Sequence, residues 1–229
     1  RDHTEVDIMI KNCIFRNNSV ALRVSDRCFK KVFPVQDSHT IILENNTFEE
    51  NFYDMSKMNG AAAIHFRTVK SRVLSCRFIN NRPGPNPYTG VVTIYKEAIV
   101  TFTNCYFENL QTTERADQLF SSGNRPLKFH GENTFNLVAL KGSQNVFSRV
   151  PTTLNNKVIL RRNFKIICPQ GYKVNAQREC ENVKKAYKCN YITVQCAQCP
   201  TKTYTLERGD FIFNKSNDVK CLKCPRGGD

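Results

Sequence analysis

An internal repeat of about 30 residues limits what this chain can fold into more than any other feature. Five segments carry it: IKNCIFRNN (10–18), LENNTFEEN (43–51), VLSCRFINN (73–81), FTNCYFENL (102–110) and GENTFNL (131–137). Their phenylalanines, Phe15, Phe48, Phe78, Phe107 and Phe135, are spaced by 33, 30, 29 and 28 residues. Two positions before each stands Cys13, Asn46, Cys76, Cys105 or Asn133. Three positions after the first three stands Asn18, Asn51 or Asn81. A second mark recurs in phase: Gly60-Ala61-Ala62-Ala63-Ile64 and Gly90-Val91-Val92-Thr93-Ile94 each begin twelve residues after a repeat Phe.

Short alternating runs lead into the Phe motif: Val6, Ile8 and Ile10; Ile41 and Leu43; Val100 and Phe102. Alternation of this length argues strand, and no sustained 3.6-residue period argues helix. The last copy, with Leu127 and Phe129, slips by one residue, which places Gly131 to hold a bulge. No single repeat can bury its own apolar side, so the repeats must stack. The sequence therefore predicts an all-β chain, a right-handed parallel β-helix (a solenoid) over residues 1–167. Its Phe positions form an inner aromatic stack, and its Cys/Asn positions a second stack with asparagines hydrogen-bonded along the axis. The longest insertions fall at 25–38, 82–89 and 111–126, where loops present recognition surfaces.

The pairing of NCxFxNN with a following GxxxI resembles the β-helix repeat of bacterial polymorphic outer-membrane proteins, with its FxxN and GGAI signatures. It is also similar to right-handed β-helix regions of large animal extracellular proteins. The resemblance covers about residues 6–140. Phe15, Phe48 and Phe78 with Asn18, Asn51 and Asn81 match the Phe–Asn pair; Leu110 and Val138 depart from it, and Gly60 and Gly90 supply half of the GGAI glycines. The resemblance implies a fold and says little of function.

From Cys168 the grammar changes. Seven of the eleven cysteines crowd into residues 168–229: Cys168, Cys180, Cys189, Cys196, Cys199, Cys221 and Cys224. Such density reads as a disulfide framework made in an oxidising compartment. The units CPxGY and CxxCPxxTY…CxxCP resemble ephrin-receptor-like, EGF-related modules. That resemblance implies the pairs Cys168–Cys180, Cys199–Cys221 and Cys189–Cys196, with Cys224 paired beyond the fragment or with Cys28. Zinc on Cys196, Cys199, Cys221 and Cys224 is the rival reading, since the two CxxC units have near-ribbon spacing. Pro200, Pro225 and the extra cysteines argue against it.

Three sequons, at Asn17, Asn45 and Asn214, agree with an extracellular location, secreted or as an ectodomain. Asn45 is the least favoured acceptor, because it falls in a predicted strand. The net charge is +14, and both parts share it: 23 Lys+Arg against 14 Asp+Glu up to residue 167, and 11 against 6 beyond. That charge suits an acidic glycan or protein partner, whereas no nucleic-acid partner is expected. Membrane attachment, if any, belongs to a part of the parent protein outside this chain, and open strand edges invite end-to-end self-association.

Many β-helix proteins act on polysaccharides with clustered carboxylates, a calcium ion and a basic residue. The candidates here are Asp7, Glu44, Glu97, His65, Arg67 and Arg77, with Tyr95 and Tyr106 as aromatic platforms. No Asp-x-Asp or Gly-x-Asp signature accompanies them. His65 and His130 read as packed or surface strand residues, and Cys13, Cys76 and Cys105 as inward, apolar ones. Arg67, Lys70, Arg72 and Arg77 could form a stripe for sulfated glycan. The sequence thus reads as a non-catalytic structural or interaction module with no cofactor, followed by the cysteine-rich module. A β-helix polysaccharide lyase or hydrolase, and a basic glycan binder, are the alternatives.

Overall fold

The apolar run before each repeat Phe forms one strand, and the triplet centred on the Phe forms a second. The computed structural model of the chain describes residues 8–19, 21–25, 40–53, 61–67, 69–84, 90–95, 98–109, 117–121, 127–137, 144–149, 158–159, 164–183, 186–205, 210–212 and 221–224. Among the described residues the regular elements are all strands.

Successive repeats add one strand to each of three sheets. The first sheet takes β1 (Ile8–Lys11), β4 (Thr40–Glu44), β7 (Lys70–Leu74), β10 (Ile99–Thr103), β13 (Leu127–His130) and β16 (Val158–Ile159), in that order. The second takes β2 (Ile14–Arg16), β5 (Thr47–Glu49), β8 (Arg77–Ile79), β11 (Tyr106–Glu108), β14 (Asn133–Asn136) and β17 (Phe164–Ile167). The third takes β3 (Leu22–Ser25), β6 (Ile64–Arg67), β9 (Gly90–Tyr95), β12 (Asp117–Ser121) and β15 (Gln144–Arg149). Pairing within these runs is parallel. Strands linked in sequence lie in different sheets, as parallel ladders require, since their partners need a long crossover.

The register runs through the repeat. Phe15 pairs Phe48, Phe48 pairs Phe78, Phe78 pairs Phe107 and Phe107 pairs Phe135. Their rings stack at 4.8, 5.1, 4.6 and 4.4 Å between centroids, within 7° of parallel. Ile166 takes the next place beside Phe135, a sixth copy with Ile in the position of Phe. One hydrophobic core draws on all three sheets, with Leu43, Val73 and Phe102 from the first, Phe48 and Phe78 from the second, and Ile64, Phe66 and Val92 from the third. The middle strands of the third sheet, β6, β9 and β12, are buried on both faces: His65, Thr93 and Phe120 are as buried as their strand neighbours Ile64, Val92 and Leu119.

Corners between sheets need left-handed backbone, and the sequence supplies it mostly with Asn. Asn12, Asn45, Ser75, Asn104 and Gly131 turn the chain from first to second sheet with φ of 57°, 52°, 51°, 54° and 62°. Asn17, Glu50 and Asn80 do the same on leaving the second sheet. Asn is the non-glycine residue that adopts this conformation most readily. At Gly131 the expected one-residue slip is present: Thr103 pairs His130 but Tyr106 pairs Thr134, so the fifth repeat has one extra residue. A Cβ at Gly131 would lie 2.1 Å from Asn104 Oδ1, which accepts the Glu132 N–H at 2.9 Å.

Two sequence expectations are corrected. The Gly-led runs do not stack in phase, because Ile64 pairs Val92 and Phe66 pairs Ile94. A shift of two keeps every side chain on its face, so the ladder tolerates a shorter connection. The 111–126 stretch is not one insertion, since it contains β12, whose Leu119 and Phe120 are buried.

The cysteine-rich segment hydrogen-bonds to the parallel sheets across the 167/168 boundary. A long antiparallel hairpin, β18 (Tyr172–Val183) and β19 (Ala186–Gln198), extends the third sheet by pairing β19 with β15. Strand β21 (Asp210–Ile212) pairs antiparallel with β17, and β20 (Thr203–Tyr204) with β22 (Leu222–Lys223). Cys168 is bonded to Cys196, in place of the implied Cys168–Cys180 and Cys189–Cys196 pairs. The hairpin is the reason: Tyr172 faces Gln198, so the two strand ends return beside each other, while Cys180 and Cys189 fall opposite one another in register. Cys199 is bonded to Cys221, the pair the module resemblance implies. Cys224 is unpaired within this chain, as that reading expects, and Cys28, the alternative partner, lies outside the described residues.

Candidate functional site

The chemically capable side chains of the repeat fall into columns that run across the strands. Asn18, Asn51, Asn81 and Asn109 form one. Each Asn Nδ2 donates to the Oδ1 of the next, at 3.2 Å from Asn18, 2.9 Å from Asn51 and 2.7 Å from Asn81. The backbone N–H groups of Asn18, Asn51 and Asn81 donate to the same oxygens at 3.0, 3.1 and 3.0 Å. Nδ2 of Asn51 and of Asn81 also reaches back to the carbonyls of Phe15 and Phe48, both at 2.9 Å. The column ends where Asn109 Nδ2 donates to Gln118 Oε1 at 2.7 Å. Sequence reasoning missed Asn109 because its repeat lacks the corner residue, which moves the Asn one place closer to its Phe. The signal was present in FENL.

The Cys/Asn column works by the same rule. Asn46 Nδ2 donates to Ile10 O at 2.8 Å. The Cys76 and Cys105 thiols donate to Leu43 O and Val73 O, the equivalent carbonyls, at 3.5 and 3.4 Å. Burial pushes the Cys76 thiol up to about 11 and that of Cys105 up to about 12, so neither is a nucleophile near neutral pH. Cys13 holds the same repeat position, its thiol donating to Lys11 O at 3.3 Å as Cys76 does to Leu74 O, but it is exposed, because β1 and β2 carry no strand on their outer side among the described residues.

The catalytic candidates are dispersed. Glu44 pairs with Lys11 at 3.1 Å and Glu49 with Arg16 at 2.6 Å, while Glu108 accepts from the Tyr106 hydroxyl. Tyr106 OH also accepts from Asn136 Nδ2 at 3.0 Å, and Arg77 lies 5.8 Å from the centre of the Tyr106 ring. His65 is buried against Tyr95, with ring centroids 5.1 Å apart, and its Nε2 has no hydrogen-bond partner among the described residues. Burial first, then the Arg23 and Arg67 charges, lowers its pKa to about 4, which keeps the ring neutral. His130 is half-buried, and its carbonyl accepts from Asn133 Nδ2 at 2.7 Å. Lys70, Arg72 and Arg77 are exposed and Arg67 is half-buried. Asp7 and Glu97 lie outside the described residues.

Among the described residues, no three His, Cys, Asp or Glu side chains lie together in an arrangement that could hold a metal ion. The four sulfurs of the zinc reading are divided: Cys199 and Cys221 are bonded to each other, Cys196 is bonded to Cys168, and Cys224 is free. Of the sequons, Asn17 and Asn45 sit at exposed corners with left-handed backbone. Asn45 therefore lies between β4 and β5 and not within a strand as expected. Asn214 lies outside the described residues. No protein-family model, curated protein or solved structure matches this chain.

Proposed function

We propose that the three parallel sheets are the faces of a right-handed parallel β-helix. In this reading the chain is a non-catalytic structural and interaction module of a larger extracellular protein. The observation that carries the reading is the use made of the polar residues of the repeat. Asn51 and Asn81, Cys76 and Cys105 are buried with their donors directed at backbone carbonyls or at one another, and His65 is held neutral inside the third sheet. These groups hold strands together and present nothing to a substrate. The two disulfides among the described residues and the exposed corner sequons Asn17 and Asn45 support an oxidising, extracellular setting. Secretion from a eukaryotic host tests this. Glycans at Asn17 and Asn45 with both disulfides intact are expected, and two bare sequons would contradict the compartment. Turnover of an acidic polysaccharide would replace the reading with the enzymatic one.

A second reading has its own observation. Lys70 and Arg72 on β7 and Arg77 on β8 carry exposed cations on successive strands of one repeat, on either side of the Ser75 corner. A sulfated glycan would bridge them. Retention on a heparin column that falls when all three are changed to Ser would support it, and elution at the same salt would exclude this patch.

A further inference from the structure

The three parallel sheets treat their outward side chains differently. In the third, the middle strands are buried on both faces. In the second, Glu49 holds Arg16, its register partner, at 2.6 Å, and Glu108 accepts from the Tyr106 hydroxyl. The first sheet begins the same way, with Lys11 in register with Glu44 and paired to it at 3.1 Å. From β7 onward that matching stops. Strands β7, β10 and β13 alternate buried and outward residues, and their outward ionisable side chains are Lys70, Arg72, Lys128 and His130, with no carboxylate. Two described acids border this face: Glu44 on β4, already held by Lys11, and Glu132, beyond the Gly131 corner. The side chains of Lys70, Arg72 and Lys128 have no ion pair among the described residues.

Register sets the spacing of these cations. Arg72 pairs Thr101 and Thr101 pairs Lys128, so Arg72 and Lys128 stand two strand steps apart, about 10 Å, with a threonine between them. Lys70 precedes Arg72 by two residues on the same strand, about 7 Å away. A linear polyanion crossing the strands meets cations at that regular interval. The face has no outward Phe, Tyr or Trp among the described residues, so it lacks the stacking platforms of a single-stranded nucleic-acid site. Its outward apolar residues, Leu74 and Ile99, are half-buried, so it also lacks the apolar anchor of a protein interface. A sulfated glycan asks only for cations and hydroxyl groups. The described sequons, Asn17 and Asn45, fall in the first two repeats, whereas the corners bordering β7, β10 and β13, at Ser75, Asn104 and Gly131, begin none.

We propose that a sulfated glycan lies across β7, β10 and β13 on the outer face of the first sheet, with one sulfate on Arg72, the next on Lys128, and Lys70 at its flank. The Thr101 hydroxyl, between the two cations, bonds the sugar that joins the sulfates. This deepens the second reading above and rests on it, but changes its track: the chain runs from Arg72 to Lys128, and Arg77, beyond the Ser75 corner, lies off it.

The probe is a heparin octasaccharide, titrated into the full chain by isothermal calorimetry at several salt concentrations. Arg72→Ser and Lys128→Ser should each weaken binding about three- to fivefold, the scale of an exposed ion pair. Each should also make the salt dependence shallower, since one site of counterion release is gone. Arg77→Ser removes the same charge and should change neither. On the unchanged protein, the bound octasaccharide should protect Lys70 and Lys128 from amine acylation, read by peptide mass spectrometry, which decides the matter if a variant fails to fold. Binding that ignores Lys128→Ser but falls with Arg77→Ser, or a Lys128 that stays unprotected, overturns this proposal and leaves the second reading standing. No binding to the unchanged protein removes both. A thymidine oligonucleotide or an oligoglutamate of equal charge that binds as tightly also overturns it, and assigns the face to polyanions at large.

Discussion

Asn81 Oδ1 accepts two hydrogen bonds from Asn51, one from its backbone N–H at 3.1 Å and one from its Nδ2 at 2.9 Å, with both residues fully buried. A donor left without its acceptor there has no water to turn to. Asn81→Ala leaves two donors of Asn51 unpaired and removes the Nδ2 bond to Phe48 O. The expected loss is about 3 kcal/mol or more. Denaturant unfolding should show a lower midpoint with an unchanged slope.

Phe78 stacks on Phe48 and on Phe107, at 5.1 and 4.6 Å. Phe78→Ala is expected to cost about 3–5 kcal/mol, because strands fixed by register on both sides cannot close the cavity. Phe15→Ala should cost less than half of that, since its ring is partly exposed and has one stacking neighbour. Equal losses at the two positions would contradict the stack.

Gly131 has a φ of 62° and no room for a Cβ beside Asn104 Oδ1. Gly131→Ala should destabilise by about 1–2 kcal/mol from backbone strain alone, with the clash added. Asn104→Gly should recover the clash but not the strain, and thermal melts of the single and double variants separate the two.

Neutral His65 makes stability depend on pH. Its folded pKa, about 4, lies below the ordinary imidazole value of 6.5, so between those values the unfolded chain binds the extra proton. Stability contributed by His65 is complete above about pH 6.5 and is lost as pH falls toward 4, by about 3 kcal/mol in the limit. Chemical denaturation from pH 7 to pH 4 measures the slope. A His65→Gln variant should lose that part of it, and an unchanged slope would place the titration elsewhere.

The repeat was legible because its signals are local and redundant. A Phe every 28–33 residues, an Asn three places later and a polar corner each restate the same strand, so in-register pairing followed from spacing. The Gly131 slip was legible because only one residue separated its copy from the others. Where one signal weakened, the reading failed. Ile166 replaces Phe, so the sixth copy was unseen, and Asn109 is displaced by one. The cysteine-rich segment misled for a different reason. Its grammar is that of short loops, whereas its backbone forms a 12- and 13-residue hairpin whose far ends meet, and that pairing decides the partner of Cys168. Side-chain chemistry at the candidate site was the least legible part. Burial on both faces of the middle strands of the third sheet, which neutralises His65, depends on contacts that no spacing reveals.

The central claim is that residues far apart in sequence are stacked strand upon strand. Ile14 on β2 and Lys165 on β17 hold equivalent outward positions, five strand steps apart in the second sheet. Spin labels carried there on unnatural amino acids, which leave the native thiols untouched, should give one narrow distance distribution by pulsed electron paramagnetic resonance. At about 4.8 Å per strand, the backbone separation is about 24 Å, before the reach of the label linkers. A broad distribution, or a distance beyond about 40 Å, would contradict the stacking of the repeats.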